Sequence, residues 1–319
     1  MSRGSICRST VDTRSDASEV TGHREPVSPG AAGQPVVDAH HHLWDLQRHV
    51  YPWLSGGGDP GTTEWIGDYG AIRRSFLVGD YVRETAASGV IKSVHIEAVW
   101  GGSDSLGETA WLQSVAAADG LPTGIVAGID LRSPDAEAQL DAHMACERFR
   151  GVRMAEMGDL VTDSDFRRGF AWLAERGLCY DINITAEDAV HALGLAAAFP
   201  ATTIIVDNMA NPRSLRLGTL RRWVRAMEPL AQAPNVVMKV SGLGMADHHW
   251  SIQRIRPWVL EAFRIFTPAR CMFGSNWPVD GLYSSYAALV GALRGITGEL
   301  RPAEREAFFR GTAERCYRI

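Results

Sequence analysis

An α/β barrel of eight parallel strands, a (β/α)8 TIM barrel with a long loop after strand one, is the fold this sequence predicts. Three observations carry the prediction. Eight short runs rich in β-branched and apolar residues recur between Pro35 and Trp277. Stretches with helical spacing lie between them. The runs have few alternating polar positions, as expected of strands covered on both faces. Eight such units in roughly 280 residues match the ~250 typical of this barrel. A doubly wound open sheet is the competitor. It would carry a glycine-rich phosphate loop after its first strand, whereas here that strand runs into histidines. The SGLGMAD segment after strand seven has two glycines but no GxGxxG pattern.

In chain order the strands are read at PVVDAH (from Pro35), IKSVHIEAVW (Ile91), TGIVAGIDL (Thr123), FRGVRMAEM (Phe149), LCYDINIT (Leu178), TTIIVDNM (Thr202), NVVMKVSGL (Asn235) and RCMFGSNW (Arg270). Helical patterns include DYVRETAASG, SDFRRGFAWLAERG, AEDAVHALGLAAAF and SIQRIRPWVLEAFRIF. The barrel domain is placed at 35–319. Residues 1–34, rich in Ser, Gly, Arg and Pro, bury too little surface to offset the entropy of ordering and are expected to be disordered. They lack the apolar core of a secretory signal.

About 35 residues separate strand one from the first helical pattern, a length usually associated with function. In a barrel this loop lies at the C-terminal ends of the strands, where active sites are found. Trp44, Tyr51, Trp53 and Trp65 either form an apolar lid there or pack the loop down.

Composition excludes several functions. Hydrophobic residues are 45% and charged residues 22% of the 319 residues, the balance of a soluble globular protein. The formal charge of -5 and pI near 6.1 argue against nucleic-acid binding. No apolar run approaches the roughly 18 residues of a membrane span. Cys7, Cys146, Cys179, Cys271 and Cys316 form no CxxC pair and read as unpaired thiols of a cytoplasmic protein. The expected partner is a small-molecule substrate; a homodimer is allowed, not required.

The chemistry is expected at the strand ends. VVDAHHHLWD places His40 and His42 on one side of strand one and His41 on the other. Two imidazoles at a barrel mouth can bind a metal or donate to a carbonyl oxygen. The same spacing puts His95 with Glu97 and Lys239 with Ser241. Arg153 falls late in strand four, Asp181 in strand five, Asp207 and Asn208 at the end of strand six and Asn276 at the end of strand eight.

Together, DAHHHLWD, GVRMAEM, KVSGL, RCMFGSNWPVD and the closing AERCYRI resemble the amidohydrolase-related (amidohydrolase-2) family. They are most similar to its sugar-lactonase-like branch of TIM-barrel metal-dependent hydrolases. The resemblance runs from about Val36 to the C-terminus. It implies a site at the C-terminal face and hydrolysis of a small cyclic ester or related carbonyl compound. It matches His40 and His42 to the family's strand-one pair, Arg153 to a strand-four arginine suited to a carboxylate or carbonyl, and Lys239 to the strand-seven KxSG.

Two departures weigh on the metal that the resemblance implies, zinc or manganese. Asn208 stands where many relatives have histidine, and Ala210 where glycine is common. Asn276 stands where many have aspartate. Asparagine is neither a useful base near neutral pH nor a good zinc ligand, so His40 and His42 lack an evident third partner. Glu97, Asp181 or Asp207 are the carboxylates that could supply it. Without metal, His40, His42, Arg153 and Lys239 would polarise the carbonyl and a carboxylate would activate water. Asp280 is the nearest substitute for Asn276 and Asp181 the second. Trp44, Glu97, Lys239, Asn208 and His248, with its neighbour His249, are the expected substrate contacts. Lactone hydrolysis is the leading reading. The alternatives are a decarboxylase or hydratase on the same barrel, or a catalytically silent binding homologue.

Overall fold

The computed structural model describes residues 34–55, 60–98, 105–154 and 162–319. The extension expected to be disordered falls almost wholly outside these residues, as do the last three residues of GVRMAEM. The eight strands are β1 Val36–His41, β2 Val90–Ile96, β3 Gly124–Gly128, β4 Phe149–Met154, β5 Cys179–Ile182, β6 Ile204–Val206, β7 Val236–Val240 and β8 Cys271–Phe273. They form one sheet in sequence order, every adjacent pair parallel. The seam closes just beyond β8: His42 N–H donates to Trp277 O and Asn276 N–H to His40 O, both at 2.7 Å. This is the predicted (β/α)8 barrel, and all eight runs contain a strand.

The helices are α1 Pro60–Ile66, α2 Val78–Thr85, α3 Ser105–Asp119, α4 Ala136–Met144, α5 Ser164–Glu175, α6 Ala189–Ala198, α7 Leu217–Leu230, α8 Leu243–Ala246, α9 Ile252–Phe266, α10 Tyr286–Ile296, α11 Pro302–Glu306 and α12 Thr312–Tyr317. Helix α5 shows why the outer ring packs. Asp163 caps it by accepting from the N–H groups of Asp165 and Phe166, satisfying donors that a helix start leaves open. Its buried residues Phe166, Gly169, Phe170 and Leu173 fall on one stripe of helical period. Gly169 is required there, since a Cβ would meet Leu131 O at 2.0 Å.

Two apolar layers result. The larger lies between strands and helices, with Trp223, Trp258, Phe170 and Tyr180 among its members. The smaller fills the barrel with Val37, Ala39, Val94, Val126, Ile205, Val237 and Met272, joined by Ala313, Cys316 and Tyr317 of α12. The C-terminal segment thus closes the end of the barrel away from the mouth. Ile319 packs at Gly124, where β3 begins, and its carbonyl accepts from Lys92 Nζ at 2.8 Å. Cys146, Cys179, Cys271 and Cys316 are free thiols; Cys7 lies outside the described residues. Among the described residues no helix is long and apolar enough to cross a membrane.

Candidate active site

The mouth is shaped first by β1. Between Asp38 and His41 this strand advances three residues while β2 advances two, from Ser93 to His95. Such a bulge re-aims side chains next to active sites. His40 and His42 face inward with ring centroids 5.1 Å apart. His41 turns out, stacking on Tyr81 of α2 at 4.2 Å and bonding Ser93 Oγ at 3.0 Å. His95 does not join Glu97 at the mouth. Its ring is buried and Nε2 donates to Leu43 O at 3.3 Å.

A charge ladder fills the barrel beneath the mouth. Arg153 Nε donates to Glu97 Oε1 at 2.8 Å, Nη2 to Glu97 O at 2.7 Å, and Nη1 reaches Asp207 Oδ2 at 3.4 Å. His40 Nδ1 lies 3.4 Å from Asp207 Oδ1. The Lys239 ammonium pairs with Asp207 at 2.9 Å and with Asp181. Tyr317 OH donates to Asp181 at 2.6 Å.

Burial penalises charge on both ladder carboxylates, but the outcomes differ. Beside Asp207, Lys239 and His40 outweigh burial and hold the carboxyl well below its ordinary range. For Asp181 burial wins and pushes it up to about 6 despite Lys239. Lys239 and Arg153 are both pulled down by burial, yet their carboxylate partners outweigh that and leave them raised. Burial lowers His40 to about 4, more than Asp207 raises it.

The end of β6 is unusual. Asn208, Met209, Ala210 and Asn211 all take left-handed φ, between 44° and 55°. That conformation costs roughly 1–2 kcal/mol per residue for L-amino acids and is borne most easily by Asn. Tertiary bonds hold the turn. Ser241 Oγ donates to Asn208 Oδ1 at 2.7 Å, Trp223 Nε1 to Met209 O at 2.6 Å, and Asn211 Nδ2 to Asn183 Oδ1 at 2.7 Å. Gly242, with φ +67°, must lack a side chain: a Cβ would meet Asn208 Cβ at 2.8 Å. The positive φ of Ala210 accounts for the glycine that the resemblance leads one to expect there.

Above the ladder lies a cavity of about 600 Å³ whose wall includes His42, Glu97, Arg153, Asn208 and Asn276, with Trp53, Trp65 and Arg213. His42 Nδ1 bonds Ile96 O at 2.8 Å. A carbonyl can only accept, so Nδ1 carries the proton and Nε2 keeps its lone pair. Burial, then the charges of His40 and Arg153, hold this imidazole well below its ordinary basicity, so it is neutral near pH 7.

Several expected site residues lie elsewhere. Asp181 and Lys239 have no exposed surface; each satisfies the other inside the barrel rather than at the cavity wall. Asp280 stands behind Asn276, accepting from Asn276 Nδ2 at 3.0 Å and from Gly244 N–H at 3.0 Å. Burial pushes it up to about 6, against those hydrogen bonds. Trp44 is fully buried; its Nε1 donates to Arg74 O at 2.6 Å and its ring packs edge-on to Trp53. It supports the long loop from beneath, while Trp53 and Trp65 reach the cavity. His248 and His249 border a neighbouring cavity of about 370 Å³, and His248 stacks on Tyr283 at 4.1 Å.

Among the cavity residues that escaped the sequence reading are Asn183 and Arg213. Asn183 lies two positions after Asp181 and was open to the same alternation argument. Arg213 follows the left-handed turn in a loop that carries no periodic signal.

The donor set does not fit a protein-held catalytic metal. His40 Nε2 is buried without a hydrogen-bond partner and Nδ1 has only Asp207 at 3.4 Å, and His42 Nε2 is available. A catalytic zinc normally takes three protein ligands. Glu97 is tied to Arg153, Asp207 to Lys239, and Asp280 to Asn276 and Gly244. Among the described residues no three His, Cys, Asp or Glu side chains converge on a metal position.

Residues 37–319 match the amidohydrolase family profile. An uncharacterized protein of Sinorhizobium fredii is 38% identical over 296 residues, covering 89% of this chain and 98% of its own. The L-fucono-1,5-lactonase of Burkholderia multivorans is 29% identical over 300 residues, covering 89% and 96%. The crystal structure of an amidohydrolase from Burkholderia multivorans with bound zinc superposes with a TM-score of 0.76 at 29% identity, covering 89% of this chain and 99% of that one. With the barrel and its histidine-lined mouth in place, these likenesses assign the chain to the amidohydrolase family of hydrolytic enzymes.

Proposed function

We propose that the protein hydrolyses a lactone at the mouth of the barrel without a resident metal. The observation that carries the reading is His42, whose Nδ1 is committed to Ile96 O while the ring borders the cavity. Nε2 is therefore a neutral acceptor on a ring that lines the cavity. The lactonase name of the Burkholderia relative supports the substrate class.

In the proposed step a water oxygen attacks the lactone carbonyl carbon while His42 Nε2 takes the water proton. The developing oxyanion is met by Arg153 and by the amide N–H of Asn208, whose Oδ1 is already occupied by Ser241. Donors aimed at developing charge in a site that excludes water are the strongest common source of rate enhancement. Collapse breaks the bond to the ring oxygen, which receives the proton from His42. The product is an open hydroxy acid. Asp207, held ionised, fixes Arg153 and His40 beneath this apparatus. Asp280 orients the Asn276 amide at the wall.

The test is turnover of a panel of five- and six-membered sugar lactones followed by acid release in weak buffer. Hydrolysis by the wild type and its loss in His42→Gln, with folding intact, supports the reading. Full activity in His42→Gln rules out this base, and silence on every lactone favours a binding homologue.

A further inference from the structure

The candidate catalytic cavity adjoins the outer one: Glu64, Trp65, Arg213 and Met245 border both. Arg213 stands at this junction, its guanidinium 3.8 Å from the centre of the Trp65 ring. The two arginines of the cavity differ in what they have left to offer. Glu97 and Asp207 take three of the five N–H donors of Arg153, leaving only the remainder for the reacting carbonyl. Arg213 has its flat face on an indole and, among the described residues, no carboxylate within ion-pair distance. A stacked guanidinium keeps its in-plane N–H edge for a ligand and is orientationally restrained, which suits a planar carboxylate.

We propose that Arg213 and Trp65 form a carboxylate subsite, so that the preferred substrate is a lactone bearing a second, acidic arm. The ring and its carbonyl occupy the inner cavity by His42 and Arg153. The acid arm extends to Arg213, toward the outer cavity edged by His248 and His249. Glu64 at the junction opposes the acid arm, and Asp247 on the outer wall is paired with Arg254 at 2.7 Å, so Arg213 is set chiefly against Glu64. The inference rests on the lactonase reading for the ring and adds the charge on its substituent.

The probes are glucaro-lactone, which carries the extra carboxylate, and glucono-lactone, which lacks it. The readout is the ratio of their kcat/KM values. Arg213→Ala lowers the ratio about tenfold or more, mainly through KM for the acidic lactone. Arg213→Lys restores part of it, and Glu64→Gln raises it. Arg213 and Glu64 are both exposed, so none of these substitutions endangers the fold. Calorimetric binding of glucarate and gluconate to wild type and Arg213→Ala repeats the comparison without turnover. If no lactone of the panel is hydrolysed, the lactonase reading fails while the calorimetry still decides the subsite. An unchanged ratio in all three variants, or equal loss of both acids in Arg213→Ala, overturns the proposal.

Discussion

The Lys239 ammonium lies 2.9 Å from Asp207 and also pairs with Asp181, in a barrel interior where none of the three has exposed surface. One buried cation thus bridges a carboxyl group of β5 and one just past the end of β6. Removing one partner of such a group costs about 3–5 kcal/mol, because charge is left buried and uncompensated. Lys239→Met should lose stability of that order at pH 7.5, read by urea denaturation. It should regain part of it near pH 5, where a buried carboxyl lacking the ammonium takes up a proton. Equal losses at both pH values count against the ladder as the cause.

Asp207 adds a pH dependence in the wild type. Its folded pKa is depressed, so its stabilising contribution is present above the ordinary carboxylate range and lost as pH falls through and below it. Asp181 and Asp280, both raised to about 6, act in the opposite sense. They cost stability when ionised above about 6 and that cost fades as they protonate. The buried imidazoles of His40, His41, His42 and His95, all lowered chiefly by burial, destabilise the fold as pH falls below the ordinary histidine range. They outnumber these two raised carboxyls, so denaturation midpoints should fall from pH 7 to 5 and drop further in stronger acid.

Asp280 also predicts a kinetic signature. It ionises near pH 6 and accepts from the Asn276 amide at the cavity wall. The kcat/KM profile should show an acidic limb near pH 6 that Asp280→Asn removes. His42, held well below its ordinary pKa, should contribute no limb between pH 6 and 8. A limb near 6 that persists in the variant would assign it to another group.

His42→Gln keeps a polar side chain but no base. General-base assistance is worth about 10²- to 10⁴-fold, and kcat on a lactone should fall by that range. His41→Phe should instead lose stability, since His41 packs on Tyr81 and bonds Ser93 outside the mouth.

Gly242→Ala brings a side chain against Asn208 at a position of positive φ. Strain of this kind costs roughly 1–3 kcal/mol, and the shifted Asn208 should depress kcat more than it raises KM. Dialysis against a chelator should leave kcat/KM within about twofold, since two imidazoles without a third protein ligand make a poor catalytic zinc site. Stoichiometric metal in purified protein, with activity that follows it, would falsify the metal-free reading.

Much of this was legible in the sequence. Short buried runs located all eight strands, because inward and outward faces of a barrel strand are both apolar. The two-residue alternation separated His40 and His42 from His41, and residue type alone flagged Asn208 and Asn276 as poor ligands. Tertiary structure alone decided which polar groups were spent. Lys239 and Asp181 are 58 positions apart, and no periodicity reports a distance across a barrel. For the same reason the sequence offered Asp181 and Asp280 as bases, whereas packing gives the first to Lys239 and the second to Asn276. It placed Trp44 at the substrate, while packing buries it under Trp53. The availability of His42 Nε2 depends on one carbonyl of the next strand, and Arg213 gains its place only when the loop after β6 meets α1. Strand direction is a local property of the chain; which donors remain free is a property of the whole fold.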